Sequence, residues 1–109
     1  MNAPEFVSVY MTAASLEAAL RLGRALVDEG LAACVNVLPE AVSLYRWDGA
    51  VQTESEVVLL AKTRAALFDA LAARVRALHD YETPCIVALP LVAGDDDYLA
   101  WLRAQTRPG

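Results

Sequence analysis

Hydrophobic positions along this chain of 109 residues follow two periods, and the switches between them mark the elements. Phe6-Val7-Ser8-Val9-Tyr10-Met11 is short and rich in β-branched and aromatic residues, which predicts a strand. From Leu16 the spacing becomes helical, with Leu16, Ala19, Leu20, Gly23, Leu26 and Val27 on one side and Arg21, Arg24, Asp28 and Glu29 on the other. Ser15 stands where an N-cap is wanted, Glu17 favours the positive helix end, and Gly30 suits the C′ position. Leu31 to Leu38 predicts a second strand, checked at Pro39, which cannot donate to a ladder.

Val42 to Trp47 resumes extended structure and runs into Asp48-Gly49, the pair favoured in a type I′ hairpin turn. The return strand, Val51 to Thr63, alternates first and then becomes wholly apolar in Val57-Val58-Leu59-Leu60-Ala61. Such a strand is exposed towards the hairpin tip and buried on both faces at its far end. The arms reach about 12 residues or more against a usual strand of about 5–6, and a lone two-stranded ribbon is barely stable in water. The tip, with Tyr45 and Trp47, is therefore expected to lean on a second copy of the chain.

Thr63 reads as the cap of a second helix with Leu67, Leu71, Val75 and Leu78 on one stripe. His79 to Pro84 is a polar loop, Cys85 to Leu89 a further strand ended by Pro90, and Gly94-Asp95-Asp96-Asp97 the opening of a last helix. The order β-α-β-β-α-β plus a terminal helix predicts an α+β, ferredoxin-like sandwich spanning residues 1–109 as one domain. In that topology the first and third strands are central and both helices cover one face. Cys34 and Cys85 then lie on opposite edges, several strand spacings of about 4.8 Å apart, too far for a disulfide.

Composition adds a demand for cover. The chain is 57% hydrophobic with a mean hydropathy of +0.35, a high apolar load for so small a domain, so some outer surface should be covered by other subunits. A net charge of −5 and a pI near 4.7, without a basic run, argue against nucleic acid or an anionic membrane as partner. No stretch has the roughly 20 apolar residues of a membrane span, and Met1 to Glu5 lacks a basic leader, so a cytoplasmic location is expected.

Candidate chemistry is sparse. His79 is the only histidine and suits either a helix-capping role or ligand binding, with Asp80 and Glu82 beside it. Asp95 to Asp97 fits a first-turn cap better than a metal site. Tyr45, Trp47, Tyr81, Tyr98 and Trp101 fit packing or interface anchors. Lys62, the only lysine, wants a partner such as Glu56 or Glu82. Lys62, Arg46, Tyr81, Glu82 and Trp101 are the candidates to line a cleft for a small anionic ligand. No nucleophile arrangement or phosphate loop stands out, so an enzyme is not expected.

Several separated motifs occur together: Leu31-Ala32-Ala33-Cys34-Val35-Asn36-Val37, Ser43 to Gly49, Glu56, Lys62-Thr63, His79 to Pro84, Leu89-Pro90, Gly94 and Tyr98-Leu99-Ala100-Trp101-Leu102. Together they resemble the divalent-cation tolerance (CutA) family from about Val7 to Leu102. The resemblance implies a PII-like homotrimer assembled through the long hairpin, a role in tolerance of copper and other divalent cations, and no established catalysis. Where the family has Pro after the loop histidine and Glu after the loop proline, this chain has Asp80 and Cys85. The positions of copper ligands proposed for some members hold Met11, Leu78 and His79 here, leaving His79 as the match and Met11 and Cys85 as soft donors that Cu(I) accepts. The reading is a metal-binding tolerance protein; the alternatives are a PII-like sensor of a small anion in an intersubunit cleft, or a purely structural trimeric interaction module.

Overall fold

The computed structural model describes residues 3–108. Four strands, β1 (Phe6–Ala13), β2 (Cys34–Trp47), β3 (Ala50–Arg64) and β4 (Ile86–Pro90), form one antiparallel sheet in the order β2-β3-β1-β4. Three helices, α1 (Leu16–Asp28), α2 (Phe68–Leu78) and α3 (Asp96–Ala104), complete the chain. This is the expected ferredoxin-like α+β sandwich with its terminal helix. Cys34 and the residues after Cys85 lie on opposite edge strands, and both cysteines are free thiols.

Strand alternation divides the sheet into two unlike faces. Val7, Val9, Met11 and Ala13 of β1 stand opposite Thr63, Ala61, Leu59 and Val57 of β3. These pack with Ala19, Leu22 and Leu26 of α1 and Leu71 and Val75 of α2, and many are wholly buried. The other face carries Ser8, Tyr10, Leu60, Lys62, Val87 and Leu89; α3 covers one end of it, where Leu102 and Leu99 pack on Phe6 and Ala33, and the loop after α2 reaches the other end at Glu56. A two-toothed ion pair, Arg103 Nε and Nη2 donating to the Glu5 carboxylate at 2.8 and 3.0 Å, fastens α3 to the start of β1.

Local signals act as their chemistry requires. Ser15 Oγ accepts the Ala18 N–H at 3.1 Å, and Asp95 accepts that of Tyr98 at 3.1 Å, so both first turns are capped. At the end of α1, Gly30 takes φ +69°, the Gly30 N–H reaches Val27 O and the Leu31 N–H reaches Leu26 O, a Schellman closure. Asp48 and Gly49 have φ of 52° and 77° with Trp47 opposite Ala50, the type I′ turn.

Four details depart from the expectation. Pro39 does not end a strand: β2 continues through it, and the register steps between Leu38 and Ala41. A bulge on an edge strand leaves residues there unpaired, so the missing proline N–H costs no ladder bond. Leu31 to Ala33 form a buried connector, and β2 starts at Cys34. Thr63 is not a helix cap. It is a buried β3 residue whose hydroxyl donates to Leu31 O at 2.6 Å, and α2 opens instead through a 3₁₀ turn at Ala65–Leu67 without a side-chain cap. The last strand starts at Ile86, one residue after the expected Cys85, and includes Pro90 as its final residue, again on an edge strand.

The ribbon projects as its length implied. The radius of gyration is 14.4 Å over extents of 44 × 31 × 23 Å. A compact chain of this length would have about 13 Å. Near the base Leu59 and Ala61 are wholly buried, whereas at the tip Trp47 is 50% and Val51 61% exposed.

Candidate functional site

Chemistry-bearing residues gather in two places on the open sheet face. At one end, Glu56 of β3 meets the loop after α2: the Tyr81 hydroxyl donates to Glu56 Oε2 at 2.8 Å. Burial first, and then that bond, push the Tyr81 phenol well above its ordinary range. Cys85 lies beside the same carboxylate, and burial together with the Glu56 charge pushes its thiol up. Tyr45, across the ribbon, is raised by burial and by Glu54 and Glu56. Tyr45, Trp47, Glu54 and Glu56 share this side because the bulge sets Ala41 opposite Glu56 and Tyr45 opposite Gln52.

At the other end lies Lys62, opposite Cys34 on β2. Its ammonium donates to Asn36 Oδ1 and stands 4.0 Å from Cys34 Sγ. Tyr98 of α3 approaches the same thiol and stacks at a tilt on Trp101, ring centroids 5.6 Å apart. Burial, and then Cys34, raise the Tyr98 phenol. Lys62 is thus paired with Asn36 and not with Glu56 or Glu82, the partners expected from the sequence. Glu56 sits six residues away on the same strand, roughly 20 Å at strand rise.

His79 holds the loop in place. It caps the end of α2, where its N–H reaches Val75 O at 2.8 Å. Its Nε2 lies 2.7 Å from Thr12 O, and its Nδ1 accepts the Tyr81 N–H at 3.0 Å. A carbonyl only accepts and an amide N–H only donates, so the ring is the neutral tautomer with hydrogen on Nε2. Both nitrogens are spent on backbone groups, and coordination would first have to break one of those bonds.

The three proposed soft or imidazole donors do not converge. Met11 is wholly buried on the helix-covered face, a core residue. Cys85 precedes Ile86, which pairs with Met11, and lies by Glu56 on the opposite side of the sheet. Leu78 is a half-exposed apolar residue on α2. Among the described residues no three His, Cys, Asp or Glu side chains form a metal-sized cluster. Nor do the candidate cleft residues meet within one chain. Lys62 and Trp101 belong to the α3 end, Tyr81 to the Glu56 end, Glu82 is exposed on its loop, and Arg46 bonds Gly49 O at the tip on the other side of the ribbon.

Asn36 as the partner of Lys62, and Tyr81 as the partner of Glu56, are the two pairings that sequence reasoning misses. Asn36 lies two residues beyond Cys34, the residue opposite Lys62, a relation visible only once the register is fixed.

An α+β sandwich of this topology, with a long two-stranded ribbon and an uncovered sheet face, defines a ferredoxin-like protomer. The chain matches the model of the CutA1 divalent ion tolerance proteins over residues 7–105, and it belongs to that family. It is 49% identical over 98 residues to the divalent-cation tolerance protein CutA of Thermus thermophilus, covering 90% of this chain and 95% of that one. It is 45% identical over 101 residues to the chloroplastic protein CutA of Arabidopsis thaliana; the match covers 93% of this chain but 56% of the plant protein. The crystal structure of CutA1 from Oryza sativa superposes with a TM-score of 0.95 at 43% identity, covering 98% of each chain.

Proposed function

We propose that this chain acts in divalent-cation tolerance as a non-catalytic, cytoplasmic homotrimer that binds the metal itself, copper before other divalent ions. The observation that carries the assembly is the open face and both sides of its ribbon: Leu38, Trp47, Val87 and Leu89 on the open face, and Val42, Leu44 and Val51 on the other side of the ribbon, are all about half exposed or more. Apolar area of that extent, continuous along a ribbon too long to stand alone, marks a surface made to be covered. Membership of the tolerance family supports the metal role. Within one chain the best soft and hard donors in proximity are the Cys85 thiol and the Glu56 carboxylate, and a copper ion would displace the thiol proton as it bound. His79 serves the site indirectly, by fixing the loop that carries Tyr81 and leads to Cys85.

Light scattering on a sizing column tests the assembly: three chains of 11.7 kDa are expected, and one alone would overturn it. Titration with Cu(I), Cu(II) and Zn(II) tests the metal. Cys85→Ser should weaken copper binding about tenfold or more, while His79→Ala should act first on stability. Binding no tighter than about millimolar, roughly −4 kcal/mol, would end the direct-binding reading.

A second reading has its own observation. Lys62 is an ammonium with an amide for partner and no carboxylate among the described residues, framed by Tyr98 and Trp101. That arrangement suits a small anion brought to the α3 end in the assembled protein. A thermal-shift screen of organic acids and nucleotides separates it from the first, because a specific ligand raises the melting temperature by mass action.

A further inference from the structure

The helix-covered side carries a feature that neither the assembly nor the metal reading uses. Along α1, between it and the end of α2, lies a groove of about 420 Å³. Its floor is apolar, built from Ala14, Ala18, Leu22 and Leu78; its rim carries Arg21, which is spent on an ion pair with Glu17 at 3.2 Å, and two further arginines, Arg24 and Arg74. That volume falls in the range of small-ligand sites, which are mostly apolar with a few placed polar groups.

These last two arginines differ in a way that matters. Arg74 Nε donates to both oxygens of Glu29, at 2.9 and 3.0 Å, which fixes the guanidinium and leaves its terminal nitrogens without a protein partner among the described residues. Arg24 has neither an ion pair nor a side-chain hydrogen bond among them, so its planar donor set is entirely free. Guanidinium groups with unspent parallel donors suit a carboxylate, which they hold through two bonds at once. Asp28 and Asp80 stand on the same rim and oppose a second negative charge.

We propose that this groove is a binding site for a monocarboxylate with a short aliphatic chain, the carboxylate held by Arg24 and Arg74 and the chain lying on the alanine and leucine floor. The site is complete within one chain, and it lies on the face of the sheet opposite Lys62 and Glu56.

Calorimetric titration of the intact protein with octanoate, acetate, octylamine and octyl phosphate tests it. Octanoate should bind saturably and raise the melting temperature, while acetate lacks the chain, octylamine has the wrong charge, and octyl phosphate carries a second charge against the acidic rim. Arg24→Glu, an exposed substitution, should weaken octanoate about tenfold or more. Ala14→Phe, at an exposed floor position, should block it with an unchanged circular dichroism spectrum. Absence of saturable octanoate binding at millimolar concentration, equal binding of octylamine, or octanoate affinity unmoved by Arg24→Glu would each overturn the proposal. Copper titration of the same Arg24→Glu protein should match the parent, which separates this site from the metal reading.

Discussion

Neighbouring residues of β3 live in different worlds. Leu59, Ala61 and Thr63 point under the helices and are wholly buried, while Leu60 and Lys62 point to the open side and are not. The helix side is closed by the chain's own segments: hydrocarbon meets hydrocarbon, and the buried Thr63 hydroxyl has its acceptor. The open side keeps apolar side chains in water and collects the residues with reactive or charged groups, Cys34, Lys62, Glu56, Tyr81 and Cys85. Close packing and the reactive side chains of the sheet thus lie on its opposite surfaces, and a single step along a strand crosses from one to the other.

Substitutions on the two faces should separate cleanly in denaturant unfolding. Leu59→Ala, at the centre of the closed side, should cost about 2–5 kcal/mol, the range for a wholly buried leucine. Thr63→Val should follow at about 1–3 kcal/mol, because the Leu31 carbonyl loses its donor in a dry place. An effect below that for either would mean the closed side tolerates defects as an open one does.

The Glu56 end of the open side gives a pH signature. The Tyr81 phenol is raised in the folded chain by burial and by its bond to Glu56. The fold therefore holds that proton more tightly than the unfolded chain does. The resulting stability is complete below the unfolded value of about 10 and is lost as pH rises through the higher folded one. Unfolding followed from about pH 9 to 11 should show a steeper loss in the parent protein than in Tyr81→Phe; parallel curves would refute the bond's role. Smallest in stability is Val87→Lys on the open side, within about 0.5 kcal/mol for the chain alone. Its effect should appear on the sizing column instead, as dissociation of the proposed trimer.

Much of this arrangement is visible in the residue pattern because the signals are local. Ser15, Gly30 and Asp48-Gly49 act within a few positions of themselves, and the run Val57 to Ala61 announces a core strand, although burial on both faces stops short at Leu60, which is only partly covered on the open side. What stayed hidden depends on partners far along the chain. Pro39 reads as a stop until β2 is known to be an edge strand. Thr63 resembles a helix cap because threonine suits both roles, and only its acceptor, Leu31 O, decides. Met11 has the chemistry of a soft metal donor, yet its place on the helix-covered face makes it core. His79 shows the limit most clearly: the atom that occupies Nε2 belongs to Thr12, 67 residues earlier, and no spacing rule connects them.

The bulge at Pro39 has an arithmetical origin. Packing under the helices pins Val37 to Leu59, and the Asp48-Gly49 turn pins Trp47 to Ala50, so ten steps on one arm must be matched with nine on the other. One residue is surplus, and it is discharged at the proline. Were the arm pulled straight, Val42, Leu44 and Arg46 would replace Ser43, Tyr45 and Trp47 on the presented side, and the bend would need three residues where the sequence offers a two-residue one. The aromatic tip owes its aim to a miscount built into the chain between two fixed points.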